Sequence, residues 1–244
     1  MVIKAVVAYD GHGYCGWQVQ PGLRTIQGEI ERVIKLISKQ SITIVGSGRT
    51  DAKVHAMGQV FHFECDMKMK PEDWLKAMNR LLPKDIRIMK CEMAEADFHA
   101  RFSAVKKRYD YYITHEVDNP FIQNYMAKDS RRLDVEKMRE CAKVFIGTHD
   151  FTSFTSNKIH EEKSRVRTIE QIQILDEGNC VHFIFVGDGF LRYQIRMMVQ
   201  TLIEAGKHRL DYEQIALMLE AKDKHACRYK ADACGLYLVE VFYE

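Results

Sequence analysis

The sequence predicts an α/β fold in two similar halves, and two observations carry that prediction. Apolar residues alternate in some stretches and recur every three to four positions in others, and the two patterns interleave along all 244 residues. No Pro- or Ser-rich segment divides the chain, so residues 1–104 and 105–244 read as two halves with a rigid interface rather than as tethered modules.

The elements follow in order. Residues 2–9 read as a buried strand, and 10–24 as a glycine-rich loop carrying Tyr14 and Trp17. Thr25 can cap a helix whose stripe is Ile26, Ile30, Val33, Ile34 and Ile37. A short strand at 42–45 enters a second glycine-bearing loop, and 60–65 alternates as the next strand. Pro71 opens a helix with Trp74, Leu75, Met78, Leu81 and Leu82 along one side, and 86–93 is a strand. The second half predicts strands at 108–114, 169–175, 181–186 and 236–242. Helices are predicted at 133–145, with Asp134 as cap, at 190–205, ended by Gly206, and at 211–221.

Composition removes several function classes. A hydrophobic share of 46% with 29% charged residues is that of an ordinary globular protein. The net charge of +2 demands no polyanion, so any nucleic-acid surface must come from local clustering. Seven cysteines without a Cys-x-x-Cys pair, and ten histidines without His-Glu-x-x-His, argue against a zinc site or disulfide framework and for a reducing cytoplasm. The first residues are charged too soon for a signal peptide, and no stretch approaches the ~20 apolar residues of a membrane span. Gly11-x-Gly13-x-x-Gly16 has the letters of a dinucleotide loop but leads into Trp17-Gln18-Val19-Gln20-Pro21 instead of a helix.

Three stretches can carry chemistry. Gly46-Ser47-Gly48-Arg49-Thr50-Asp51-Ala52-Lys53-Val54-His55-Ala56 places a carboxylate two residues from an arginine at a loop tip. A cation there keeps Asp51 ionised as nucleophile or base; the plain alternative is a turn in which Asp51 caps neighbouring amides. Residues 98–109 hold Arg101, Lys106, Lys107 and Arg108 without an acid, bracketed by aromatics. That mixture suits phosphates and bases, or else a solvated loop with Phe98 and Phe102 buried. Residues 190–196 open a helix with Leu191, Ile195, Met198 and Leu202 inward. Arg196 then lies roughly 110° from the middle of that face, with Arg192 one turn below. Such an arginine either snorkels to solvent or makes a charged contact in a cleft.

Taken together, these segments resemble the TruA family of tRNA pseudouridine synthases. The resemblance runs through Tyr9-Asp10-Gly11…Tyr14-x-Gly16-Trp17-Gln18-x-Gln20, the 46–56 segment, and Ala100-Arg101-Phe102-Ser103-Ala104 with Tyr109. It continues in Asp150-Phe151-x-x-Phe154, Val166-Arg167-Thr168-Ile169, Gly189-Phe190-Leu191…Arg196 and Gly235-Leu236-Tyr237-Leu238-Val239. It implies an α+β fold whose two halves have abutting, largely antiparallel sheets flanked by helices and a central cleft. It also implies a cytoplasmic homodimer that converts uridine to pseudouridine at positions 38, 39 and 40 of the tRNA anticodon stem-loop, without metal or cofactor.

By the same resemblance Asp51 is the catalytic carboxylate and Tyr109 stacks on the target base. Arg196 pairs with the aspartate, Leu236 is the apolar wall, and Arg49 helps displace the base. Lys53, His55, Arg101, Lys106, Lys107 and Arg108 are the expected RNA contacts. Three places depart from the family pattern: Lys53 and Gln200 stand where glycines are usual, and Ala233-Cys234 precedes Gly235-Leu236. The alternatives are the same chemistry on ribosomal RNA, or a non-catalytic RNA-binding protein on this scaffold.

Overall fold

The computed structural model describes residues 1–116, 118–156 and 164–243. The chain forms two compact units, Met1–Lys107 with Tyr237–Glu244, and Arg108–Leu236. The division differs from the expected halves in two respects: the boundary falls after Lys107 rather than after residue 104, and the last strand from Tyr237 on groups with the first unit.

The first unit contains β1 (Val2–Tyr9), α1 (Ile26–Ser38), β2 (Val45–Gly46), β3 (His55–Glu64), α2 (Pro71–Leu81) and β4 (Ile86–Ala94). The chain leaves it along β5 (Ala104–Thr114). The second unit holds the rest of β5, then β6 (Ala127–Lys128), α3 (Val135–Ala142), β7 (Gly147–Asp150), β8 (Val166–Asp176), β9 (Cys180–Gly187), α4 (Gln194–Gly206) and α5 (Tyr212–Glu220). The chain returns to the first unit along β10 (Leu236–Tyr243).

In the first unit β1 is central, antiparallel to both β3 and β4. Its alternate residues are buried, as a strand covered on one face requires. On the far side of β3, β10 pairs in parallel, Tyr237 with His55 and Leu238 with Ala56. Thr25 caps α1 by accepting the Gly28 N–H at 3.3 Å, and Ile26, Ile30, Val33 and Ile34 are buried as predicted. Trp74 of α2 meets Phe63 of β3 edge-on at 5.1 Å, closing the core.

In the second unit β7, β8 and β9 form an antiparallel run, with β9 beside β5 and β6 parallel to β5. Asp134 caps α3 through the Lys137 N–H at 3.0 Å. Phe183 and Phe185 of β9 and Met198, Val199 and Leu202 of α4 are fully buried.

Some boundaries moved. β3 starts at His55 rather than residue 60, and β5 at Ala104 rather than 108, so the second half of the basic segment is strand. α4 starts at Gln194 rather than 190, because Tyr193 adopts φ 69°, left-handed backbone that a helix cannot contain. β6 and β7, two and four residues long, had no readable pattern. Among the described residues no helix is long and apolar enough to cross a membrane, and no group of three His, Cys, Asp or Glu side chains is placed to hold a metal.

Candidate active site

The Asp51 loop is built on backbone contacts inside the first unit. Trp17 N–H donates to the Thr50 carbonyl at 3.0 Å and Lys53 N–H to that of Tyr14 at 3.4 Å. Tyr9 and Thr50 hydroxyls meet, buried, at 2.8 Å. Two glycines make the approach possible. A Cβ at Gly11 would collide with the Val54 carbonyl, and one at Gly16, whose φ is +90°, would lie 2.8 Å from the Thr50 carbonyl. The N-terminal loop and the aspartate loop, two separate motifs in sequence, are thus one packed object.

At its tip Arg49, Ala52 and Lys53 are exposed and Asp51 is half-buried. Val54 N–H donates to the Asp51 carbonyl at 3.2 Å, closing a turn in which Lys53 takes φ 66°. The third position of such a turn favours glycine, because a Cβ crowds the backbone when φ is positive. The departure at Lys53 therefore carries a conformational cost while projecting a cation into solvent.

His55 differs from its expected role as an RNA contact. It is 2% exposed; its Nδ1 accepts the Gly11 N–H at 3.1 Å, lies 3.2 Å from Asp10, and its ring stacks on Tyr237 at 4.7 Å. It braces the loop and offers phosphate no approach. Ser47 at the base of the loop is pinned by Gln59, whose Oε1 accepts the Ser47 hydroxyl at 2.6 Å. Lys107 joins the basic strand to the same base by donating to the Ser47 carbonyl at 2.6 Å.

The remaining basic residues divide. Arg101 is exposed, with its guanidinium 5.7 Å from the Phe102 ring. Lys106 is half-buried over Phe242 at 5.7 Å. Arg108, in the second unit, makes a two-point ion pair with buried Asp110 at 2.8 Å, and His182 Nε2 meets the same carboxylate at 2.8 Å. Phe102 is 77% exposed and stacks on His99 at 4.2 Å, not buried as the plain loop reading had it. His99 Nδ1 accepts the N–H groups of both Arg101 and Phe102, which holds the ring outward.

In the second unit Tyr109 is buried, edge-on to Phe190 at 5.3 Å. Leu236 is buried at the start of β10. Arg196 lies half-buried in the first turn of α4, its Nε donating to the Ala231 carbonyl at 2.8 Å and its guanidinium 5.4 Å from the Tyr193 ring. Arg192 falls in the bend before the helix instead of one turn below Arg196 within it. Tyr193 and Lys230 were not foreseen; an aromatic between two arginines at 192–196 was the only available signal.

These two motif-bearing units are those of a pseudouridine synthase: residues 5–103 and 141–244 match the tRNA pseudouridine synthase family, and the chain belongs to it. Its relatives extend over the whole length. A protein named tRNA pseudouridine synthase A from Exiguobacterium sp. is 46% identical over 242 residues, covering 99% of this chain and 98% of that one. Proteins of the same name from Bacillus subtilis and Limosilactobacillus reuteri are 43% and 44% identical, covering 100% and 98% of this chain and 100% and 96% of theirs.

Proposed function

We propose that this protein isomerises uridine to pseudouridine in the anticodon stem-loop of tRNA, at positions 38 to 40, with Asp51 as the catalytic carboxylate. Membership of the family supports the reaction, and the clamped, half-buried Asp51 is the observation that supports the assignment of the carboxylate. A carboxylate that must act on one uridine gains from a fixed backbone, since misplacement by about 1 Å can cost 10²-fold in rate.

The reaction breaks the N1–C1′ bond and forms a C5–C1′ bond within the same nucleotide. C5 loses its proton, N1 gains one, and no oxidant or energy source enters. The target base must first leave its stack, at a cost of a few kcal/mol. Exposed Arg49 helps displace it. Tyr109 supplies the aromatic face, Arg196 the positive charge and Leu236 the apolar wall. Exposed Lys53 and Arg101, with Lys106, contact the RNA backbone. The protein works in the cytoplasm as a homodimer.

A second reading, the same chemistry on ribosomal RNA, draws on Lys53, a cation held at a position that favours glycine. Incubating the protein with unmodified tRNA and ribosomal RNA transcripts, then mapping pseudouridine by carbodiimide, separates the readings. Product at 38–40 of tRNA is the expected result. Product in ribosomal RNA alone transfers the assignment there, and RNA binding without product makes the chain a binder. Asp51→Ala should retain RNA binding and lose product by at least about 10³-fold, the scale of an essential catalytic group; undiminished product would remove Asp51 from its role.

A further inference from the structure

In the first unit, the turn from His99 to Ser103 is locked at every backbone N–H yet presents one aromatic ring to solvent. His99 N–H donates to the Ser103 hydroxyl at 3.1 Å, and Ser103 N–H returns to the His99 carbonyl at 2.9 Å. Ala100 N–H donates to His62 Nδ1 at 3.1 Å, while the N–H groups of Arg101 and Phe102 converge on His99 Nδ1 at 3.2 and 3.1 Å. Tyr243 secures the turn from β10, its hydroxyl donating to the Ala100 carbonyl at 2.7 Å. Phe102 stands 77% exposed on this frame, with the His99 ring stacked against it at 4.2 Å and the guanidinium of exposed Arg101 at 5.7 Å from its centre.

A phenyl ring left in water forgoes the burial that stabilises apolar groups. A loose side chain on an open loop does not describe this one, because all five N–H groups of the turn are satisfied and His99 backs the ring. The open surface suits a ligand with a flat face. An unpaired nucleobase has one whatever its identity, and each nucleotide also carries a phosphate for the neighbouring guanidinium. Exposed Arg101 beside the ring favours such a polyanion over a neutral apolar partner.

We propose that Phe102, backed by His99, is a stacking platform for an unpaired base of the RNA substrate, with Arg101 on the adjoining phosphate. The proposal rests on the RNA-modifying reading of the protein. Stacking tolerates any base, so the platform adds affinity for unpaired RNA of any sequence and none for a continuous duplex, whose bases are already stacked on one another.

The test is binding of the full chain to a tRNA transcript and to a blunt RNA duplex across a salt series, for the parent, F102A, F102L, F102W and the control M89A, Met89 being exposed as well. F102A and F102L should each lose about 5- to 140-fold in affinity for the transcript, the equivalent of about 1–3 kcal/mol, with the salt slope unchanged because no charge is removed. F102W should bind as the parent does. Trp17 and Trp74 are buried, so a fall in its emission on binding reports a base stacked on the new ring. Affinity for the duplex, and that of M89A for both RNAs, should stay parental. Parental affinity for the transcript in F102A or F102L, an equal loss on the duplex, or unquenched emission from bound F102W would overturn the platform. So would a changed oligomeric mass of F102A in sedimentation, which would mark the ring as a protein contact. Failure of the parent to bind the transcript would instead overturn the underlying RNA reading, and this proposal with it.

Discussion

Of the five described non-glycine residues in left-handed backbone, Lys53 in the first unit and Tyr193 in the second are held in different ways. Lys53 has φ 66° and Tyr193 has φ 69°. At Lys53 the side chain is exposed and the loop is fixed by main-chain bonds from Tyr14 and Trp17 and by the close approach of Gly11 and Gly16. At Tyr193 side chains add to the main-chain bonds: Ser156 N–H donates to the Arg192 carbonyl at 3.1 Å, a half-buried ring carries three cations, and its hydroxyl meets Arg192. A catalytic carboxylate needs a fixed backbone. A ring that gathers long cationic side chains relies on rotatable bonds as well. The two bends should accordingly fail to different substitutions.

The largest effect is expected at the backbone-held bend. Gly16→Ala adds a Cβ 2.8 Å from the Thr50 carbonyl at a positive φ, which should displace Asp51. Pseudouridine formation should fall by about 10²-fold with a lowered melting temperature. A parental rate would mean that the clamp does not position Asp51.

Tyr193→Ala comes next, removing the ring that the three cations share. Thermal unfolding should show a loss of about 1–2 kcal/mol, or several degrees for a chain of this size. Tyr193→Gly should recover about 1 kcal/mol of that loss by relieving the left-handed residue. If glycine proves no better than alanine, strain at this bend is not the cost inferred from φ.

Lys53→Gly should stabilise the protein by about 1 kcal/mol, since its side chain is exposed and only the backbone term changes. Destabilisation would show that the lysine contributes contacts worth more than the strain.

The smallest effect concerns the segment that holds Phe102 outward. His62 Nδ1 accepts the Ala100 N–H at 3.1 Å, and burial, with His99 beside it, holds the His62 pKa below the ordinary 6.5. Between the folded and unfolded values the unfolded chain binds more protons. The contribution is therefore complete above about pH 6.5 and is lost as pH falls toward the folded value. The protection factor of the Ala100 amide, its exchange rate relative to the intrinsic rate at each pH, should fall below pH 6, and His62→Phe should remove that pH dependence. A protection factor that stays constant with pH would disconnect His62 from the loop.

Much of the candidate site was legible because its cause is local. Thr25 and Asp134 cap their helices, and the stripe from Ile26 to Ile34 is buried, because capping and amphipathic spacing are short-range properties. The Asp51 loop announced itself through glycines that only tight backbone approach explains. His55 was misjudged because the alternation that marks its strand begins beyond it, and its burial comes from Tyr237, far away in sequence. Phe102 was misjudged in the other direction, since hydrophobicity alone does not say which phenyl a loop turns outward.

By itself, then, the sequence determined the alternation of strands and helices, the caps, the aspartate loop and the family, all of which follow from neighbours within a few residues or from ordered motifs. Tertiary structure alone decided that Tyr237 and Leu238 pair beside β3 in the first unit, that Lys107 braces Ser47, and that Lys230 meets Arg192 on one ring. Those contacts join residues far apart along the chain, and no local pattern encodes which distant partner will satisfy a strand edge, a carbonyl or a ring.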